Sequence, residues 1–172
     1  CDRRQRQMCK ETAAFAASAE AQLSGNLAVC CGSSGPGNLH LINGLFDAHR
    51  SHAPVLAIAS HIPQSQIGLE YFQATHPEQL FRECSSYAEL ISEGSQAPRI
   101  LMSAIQHAWA RRDVGVVVLP GDIADAPAEM EDLVHLPSYT CEHVVPEHES
   151  LSLLARMFDE HHRICLLYTS PS

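Results

Sequence analysis

Lysine is almost missing from this sequence: Lys10 is the only one among 172 residues. With arginine included, 11 basic side chains face 20 acidic ones, a formal net charge of -9. No basic stripe exists to displace counterions from a phosphate backbone, so a nucleic-acid partner is excluded. Long apolar runs are missing as well, and nothing approaches the roughly 20 residues that a membrane-crossing helix needs. Nothing resembles a secretory signal, and the expected location is the cytoplasm. The glycines do not fall as G-x-G-x-x-G, no phosphate-loop lysine follows them, and no G-x-S-x-G elbow is present. These absences exclude the usual dinucleotide, nucleotide and serine-hydrolase signatures, and Ser34 is not expected to be a nucleophile. The seven cysteines form no disulfide framework. Cys30 and Cys31 adjoin in an apolar run, where burial makes inert core thiols of both. Among the 11 histidines no pair has the i, i+4 zinc spacing with a third ligand in reach, so no histidine metal site is expected.

What is present centres on the stretch from Gly32 to Arg50, GSSGPGNLHLINGLFDAHR. Apolar runs flank it at 27–31 and 55–59. Glycines and a proline crowd its first six residues, as where a buried strand turns sharply into a helix and needs positive φ. From Asn38 the apolar residues Leu39, Ile42, Leu45 and Phe46 recur at helical spacing. The unit reads strand, glycine turn, helix, strand, and such turns sit at the carboxyl ends of strands where α/β proteins collect ligands.

Around this unit the pattern predicts a helix over 12–23 with Phe15, Ala19 and Leu23 on one stripe, ended by Gly25. It predicts a long connection over 61–75 carrying Tyr71, Phe72 and Gln73, which either serves function or fills the space beneath the loop. A short helix over 77–84, a short strand or extended connector over 87–91 and an amphipathic helix over 98–112 follow. The last presents Ile100, Leu101, Ala104, Ile105, Ala108 and Trp109 on one face. Residues 115–119 form a fully apolar strand of the parallel-sheet kind, closed by Pro120, Gly121 and Asp122. Helices alternating with apolar strands give an α/β fold, a three-layer sandwich with a parallel sheet. Residues 125–145 lose periodicity and read as a linker, and a new helix runs from Pro146 to His162.

The two ends differ from everything between them. Residues 1–10 and 165–172 resemble translated adapter sequence and are read as a non-native leader and tail. The plainer alternative is a disordered basic tail and a short final strand. Residues 1–10 hold four of the positive charges and one of the negative ones, so without them -9 becomes -12 and the acidic balance stands.

The segments 11–23, 32–50, 54–63, 71–77 and 116–124, in this order, resemble the N-terminal pyrimidine-binding domain of bacterial pyruvate oxidases, the quinone-dependent pyruvate dehydrogenases. The resemblance implies the pyrimidine domain of a thiamine-diphosphate-binding fold over 11–124, incomplete at its N-terminus, with 146–164 opening a central FAD-binding domain. It implies a fragment of an enzyme that oxidatively decarboxylates pyruvate to acetate and carbon dioxide with thiamine diphosphate, FAD and Mg2+. Electrons would pass to ubiquinone, the enzyme would be a homo-oligomer, and the full-length protein would sit peripherally on the inner membrane. The diphosphate, the Mg2+ and most FAD contacts would lie outside this chain.

Carried over by position, Gly35, Pro36, Gly37 and Asn38 would line the aminopyrimidine pocket, and Phe72 and Gln73 would face the reacting centre. The sequence departs from the family at two places. The family's catalytic glutamate, which bonds the pyrimidine ring nitrogen and shuttles a proton, falls at Lys10. A lysine cannot take that acid role, and the resemblance makes Lys10 a junction error of the leader. Ala74 stands where the family has glutamate after Phe-Gln. Two rival readings remain: an acetolactate-synthase-like carboligase, and a non-catalytic α/β binding module that Lys10 alone supports.

Overall fold

A computed structural model describes residues 10–127 and 145–165, with Lys10 and Glu11 described by their backbone alone. The leader but for Lys10, the tail but for Cys165, and most of the expected linker lie outside the described residues. Those to 127 belong to one compact unit and those from 145 to another.

The first unit contains α1 (Lys10–Ser24), β1 (Ala28–Gly32), α2 (Pro36–Leu39), α3 (Ile42–Arg50), β2 (Val55–His61), α4 (Pro77–Leu80), β3 (Tyr87–Leu90), α5 (Ala97–Arg111), β4 (Val114–Pro120) and α6 (Gly121–Asp125). All strand pairs are parallel, in the order β1-β2-β4-β3. β2 and β4 pair from Val55 with Val114 to His61 with Pro120. Their valine, leucine and isoleucine side chains suit a sheet covered on both faces. On one face Val55, Ala57, Ala59, Val114, Val116 and Val118 pack with Leu41, Leu45 and Phe81. On the other, Leu56 and Val117 pack with Ile91, Ala104 and the partly buried Ile100, Leu101 and Ile105. The handedness of parallel crossovers explains the two layers of helices. The chain advances from β1 to β2 but steps back from β3 to β4, so α3 and α5 cover opposite faces. This is the three-layer α/β sandwich expected for a pyrimidine domain.

The stripe expected on α1 is corrected. Phe15 and Leu23 are exposed, and the buried side is Ala14, Ala17, Ser18 and Ala21. Close approach decides this. A Cβ at Gly44 of α3 would lie 2.5 Å from the Ala14 Cβ and from the Phe15 amide nitrogen. Ser18 Oγ donates to Asp47 Oδ2 at 2.6 Å. Contacts 14 to 44 and 18 to 47 mean that α1 and α3 run parallel. Small side chains let the helices touch, and bulky ones are left outside.

Cys30 and Cys31 also part company. Cys30 faces the core at 5% exposure, and burial first, then the neighbouring Cys31, pushes its thiol up to about 12. Cys31 is exposed because β1 is an edge strand whose side chains alternate between covered and open faces. The expected helix from Asn38 is two pieces, since Leu41 bonds back to Asn38 and breaks the run between α2 and α3. That break buries Leu41 and leaves Leu39 exposed. α6 is a single turn not anticipated at Pro120-Gly121-Asp122.

The described residues of the second unit contain α7 (His148–Glu160), an amphipathic helix with Leu151, Leu154 and Phe158 exposed.

Gly44→Ala is expected to destabilise the first unit by about 1–3 kcal/mol through overpacking of α1 on α3, read from the urea midpoint. A second expectation concerns alkali. The Cys30 and Cys84 thiols ionise near 9.0 when exposed, but burial lifts both to about 12. Protonated in the fold and ionised in the open chain, they make stability fall between pH 9 and 12. A Cys30→Ala, Cys84→Ala double variant should flatten that decline in urea titrations.

Candidate functional site

The glycine turn leaves the carboxyl end of β1. Gly35 adopts φ 64 and ψ -118, immediately before Pro36 at the first position of α2. A proline fits there because its missing N–H would have no helical partner. Asn38 is fully buried, and its Nδ2 donates to the Ser60 carbonyl at 2.8 Å. That bond ties α2 to the end of β2. Asn38 therefore holds the turn in place, while its Oδ1 is buried with no partner.

The long connection after β2 returns to this turn. Gln73 takes φ 64, a left-handed conformation rare outside glycine. A Cβ at Gly35 would lie 2.7 Å from the Gln73 Cβ and 2.9 Å from its carbonyl oxygen. The Ser34 hydroxyl donates to Gln73 Oε1 at 3.3 Å. Tyr71 and Phe72 are 46% and 80% exposed, so they do not fill the space beneath the loop. Gly35, Pro36, Gly37, Asn38, Phe72 and Gln73 thus meet at one end of the sheet, although they are far apart in sequence. Lys10 opens α1. Since α1 is parallel to α3, which begins just after the turn, the backbone of Lys10 emerges at that same end.

Other residues at this end escaped the sequence reading. Asp122, on α6, accepts the Gln64 amide with both carboxylate oxygens at 3.2 Å and anchors the start of the loop. Gln64 also donates through Nε2 to the Ser92 carbonyl at 2.5 Å. His61, the last residue of β2, is 6% exposed and its Nδ1 has no partner. Burial lowers its pKa; the nearby Glu78 opposes this and His76 reinforces it. Thr75 Oγ1 and Glu78 Oε2 are likewise buried without partners. Acid-anchored loops and orphaned polar atoms leave no local pattern in sequence.

Residues 8–80 match the thiamine pyrophosphate enzyme family's N-terminal TPP binding domain. The chain is 66% identical over 115 residues to the uncharacterized 42.6 kDa protein in isoamylase 3′ region of Pseudomonas amyloderamosa, a match covering 67% of this chain and 29% of that protein. It is 35% identical over 122 residues to the pyruvate oxidase of Lactiplantibacillus plantarum, covering 70% of this chain and 20% of the enzyme. It is 32% identical over 150 residues to the chloroplastic acetolactate synthase of Arabidopsis thaliana, covering 85% and 22%. The chain spans less than a third of the length of each of these relatives. A pyruvate oxidase and an acetolactate synthase therefore both stand among its homologues.

The end of the sheet fits the flat aminopyrimidine end of thiamine diphosphate. Gly35 and Gly37 are buried, with Gln73 filling the space beside Gly35, while Pro36 and Phe72 are exposed apolar surfaces and Gln73 carries an exposed carboxamide. Diphosphate and Mg2+ need other donors, and among the described residues no three His, Cys, Asp or Glu side chains assemble as a metal site. No helix among them is long and apolar enough to cross a membrane.

Gly35→Ala forces a side chain into sparsely populated positive-φ backbone at a cost of about 1–3 kcal/mol and drives its Cβ against Gln73. The expected outcome is a detached 61–76 loop, seen as faster limited proteolysis within that segment than in the parent chain. Unchanged cleavage would mean that the turn does not hold the loop.

Proposed function

We propose that this chain is the pyrimidine-binding portion of a thiamine-diphosphate-dependent enzyme that oxidatively decarboxylates pyruvate to acetate and carbon dioxide, with FAD taking the electrons on their way to ubiquinone. The observation that carries the reading is the contact of Gly35 with Gln73, which brings the glycine turn and the Phe72-Gln73 pair together at one end of the sheet. Gly35, Pro36, Gly37 and the Asn38-anchored backbone would take the aminopyrimidine ring. Phe72 and Gln73 would face the substrate, the carboxamide steadied by Ser34. Thiamine diphosphate supplies the carbon nucleophile when bound; this chain orients its ring and shields that side from water. FAD, Mg2+ and the diphosphate would be held by parts outside this chain, in a homo-oligomer.

A carboligase is the second reading, favoured by the match to acetolactate synthase over most of the chain. The product separates the two. A full-length protein carrying this domain, supplied with pyruvate and all three cofactors, should reduce ferricyanide or a quinone analogue; acetolactate as the product would establish the carboligase. The 172-residue chain by itself is expected to be inactive.

Position 10 provides a sharper test. A carboxyl group there would hold and return the ring proton, a role worth about 10²–10⁴-fold in rate. In the full-length protein, the form with glutamate at position 10 should turn over faster than the form with lysine there by that order, with pyruvate KM within a few-fold. No gain would remove position 10 from the proton path and favour a non-catalytic binding module.

A further inference from the structure

The loop after β2 is held firmly at its two ends and lightly between them. Ile62 and Pro77 are buried, but from 63 to 76 no residue is. Segments with so few buried contacts open locally at small free-energy cost. His61 stands at the first end, its backbone paired with Pro120 on the sheet. Its side chain is buried at 6% exposure, and Nδ1 has neither accessible surface nor a hydrogen-bond partner. The far end of the loop returns to it, since His76 and Glu78 are the charged neighbours that act on His61.

With its proton on Nε2, a neutral imidazole leaves only an unpaired acceptor at Nδ1. Protonation puts an N–H and a positive charge where nothing accepts a hydrogen bond, which costs far more. Four charged groups bear on the outcome. Glu78, on α4, favours the imidazolium, yet its buried Oε2 is not bonded to Nδ1 and has no partner of its own. His76 opposes the charge. Glu70 is exposed in the open part of the loop. On α6, whose Gly121 lies beside the His61 carbonyl, both Asp122 carboxylate oxygens are taken up by the Gln64 amide. Desolvation outweighs the attraction of Glu78, so burial holds the imidazole below its ordinary pKa of 6.5.

We propose that His61 is an acid-sensitive latch for the 63–76 loop: neutral, it lets the loop lie closed over it, and protonated, it displaces the loop to reach water. The backbone of His61 stays on the sheet, so the lightly held segment is the part that yields. The imidazole is neutral in the closed form and free to take a proton in the open one. Closure is therefore fully stabilised above pH 6.5 and weakens as the pH falls below it. The loop carries Phe72 and Gln73, so opening withdraws that pair from Gly35. The latch itself does not rest on the cofactor reading, because it concerns only the loop and its two ends.

The test is amide hydrogen exchange of the 172-residue chain, measured from about pH 7.5 to about pH 5 to span the titration of a histidine. Each rate is divided by the intrinsic rate at its pH. The amides of Gln66, Ile67 and Ala74 bond within the loop. Their protection should fall at least about threefold at the acid end relative to the amides of β4. His61→Gln stays uncharged throughout and should remove the loss. Two variants keep His61 and so test the latch even if that one fails to fold. Glu78→Gln takes away the attraction and should move the transition to lower pH, and His76→Gln takes away the repulsion and should move it to higher pH. The proposal is overturned if loop protection does not fall relative to β4, if the loss survives His61→Gln, or if either of the other variants leaves the transition in place or shifts it the opposite way.

Discussion

The parallel ladder between β2 and β4 is the constraint from which the rest of the unit follows. Its strands are paired over their whole length, from Val55 with Val114 to His61 with Pro120, and their side chains are buried on both faces. A sheet of that kind is stable only between two layers of helix, which fixes where α3 and α5 must lie. The ladder also brings both strands to an end at one level. The loop after His61 and the turn of α6 after Pro120 start side by side, and Asp122 can reach across to hold Gln64. The residues of the candidate site gather there because the chain leaves the sheet there.

Small residues set the tightness of this arrangement. Gly44 lets α3 lie on Ala14 of α1, and Gly115 brings β4 against the Ala104 carbonyl of α5. Close packing of this sort adds many weak dispersion contacts and leaves little room for drift. The same device recurs at the site, where Gly35 admits the Gln73 backbone. Two residues in left-handed conformation meet there, one a glycine and the other not. Strain of this kind persists only where the surroundings hold it. The buried amide of Asn38, bonded to Ser60, is the nearest support.

Among the described residues, unpaired buried polar atoms cluster around His61, and one more, Trp109 Nε1, lies on α5. At the other end of the sheet the partly exposed His49 Nδ1 donates to Asp113 Oδ1 at 2.7 Å, and the same oxygen accepts the Val114 amide at 2.6 Å. That network closes the amino end of β4. At the carboxyl end Asn38, His61, Thr75 and Glu78 each leave one buried polar atom unpaired.

Much of this was legible from the chain. The apolar run of β4, the amphipathic spacing of α5 and the glycines before Pro36 each carry a local signal, because strand burial, helical period and positive φ all constrain neighbouring residues directly. The turn could thus be assigned to a ligand-facing position, and Phe72 and Gln73 to a loop of interest, before any coordinates. Tertiary structure alone decided which side of α1 is buried, because Phe15 and Leu23 obey the helical period but Gly44 admits only the alanine side. It alone separated Cys30 from Cys31, since an edge strand looks the same in sequence as a central one. It alone brought Gln73 to Gly35 and left His61 and Thr75 without partners, for these depend on where distant segments end, and no local pattern records that.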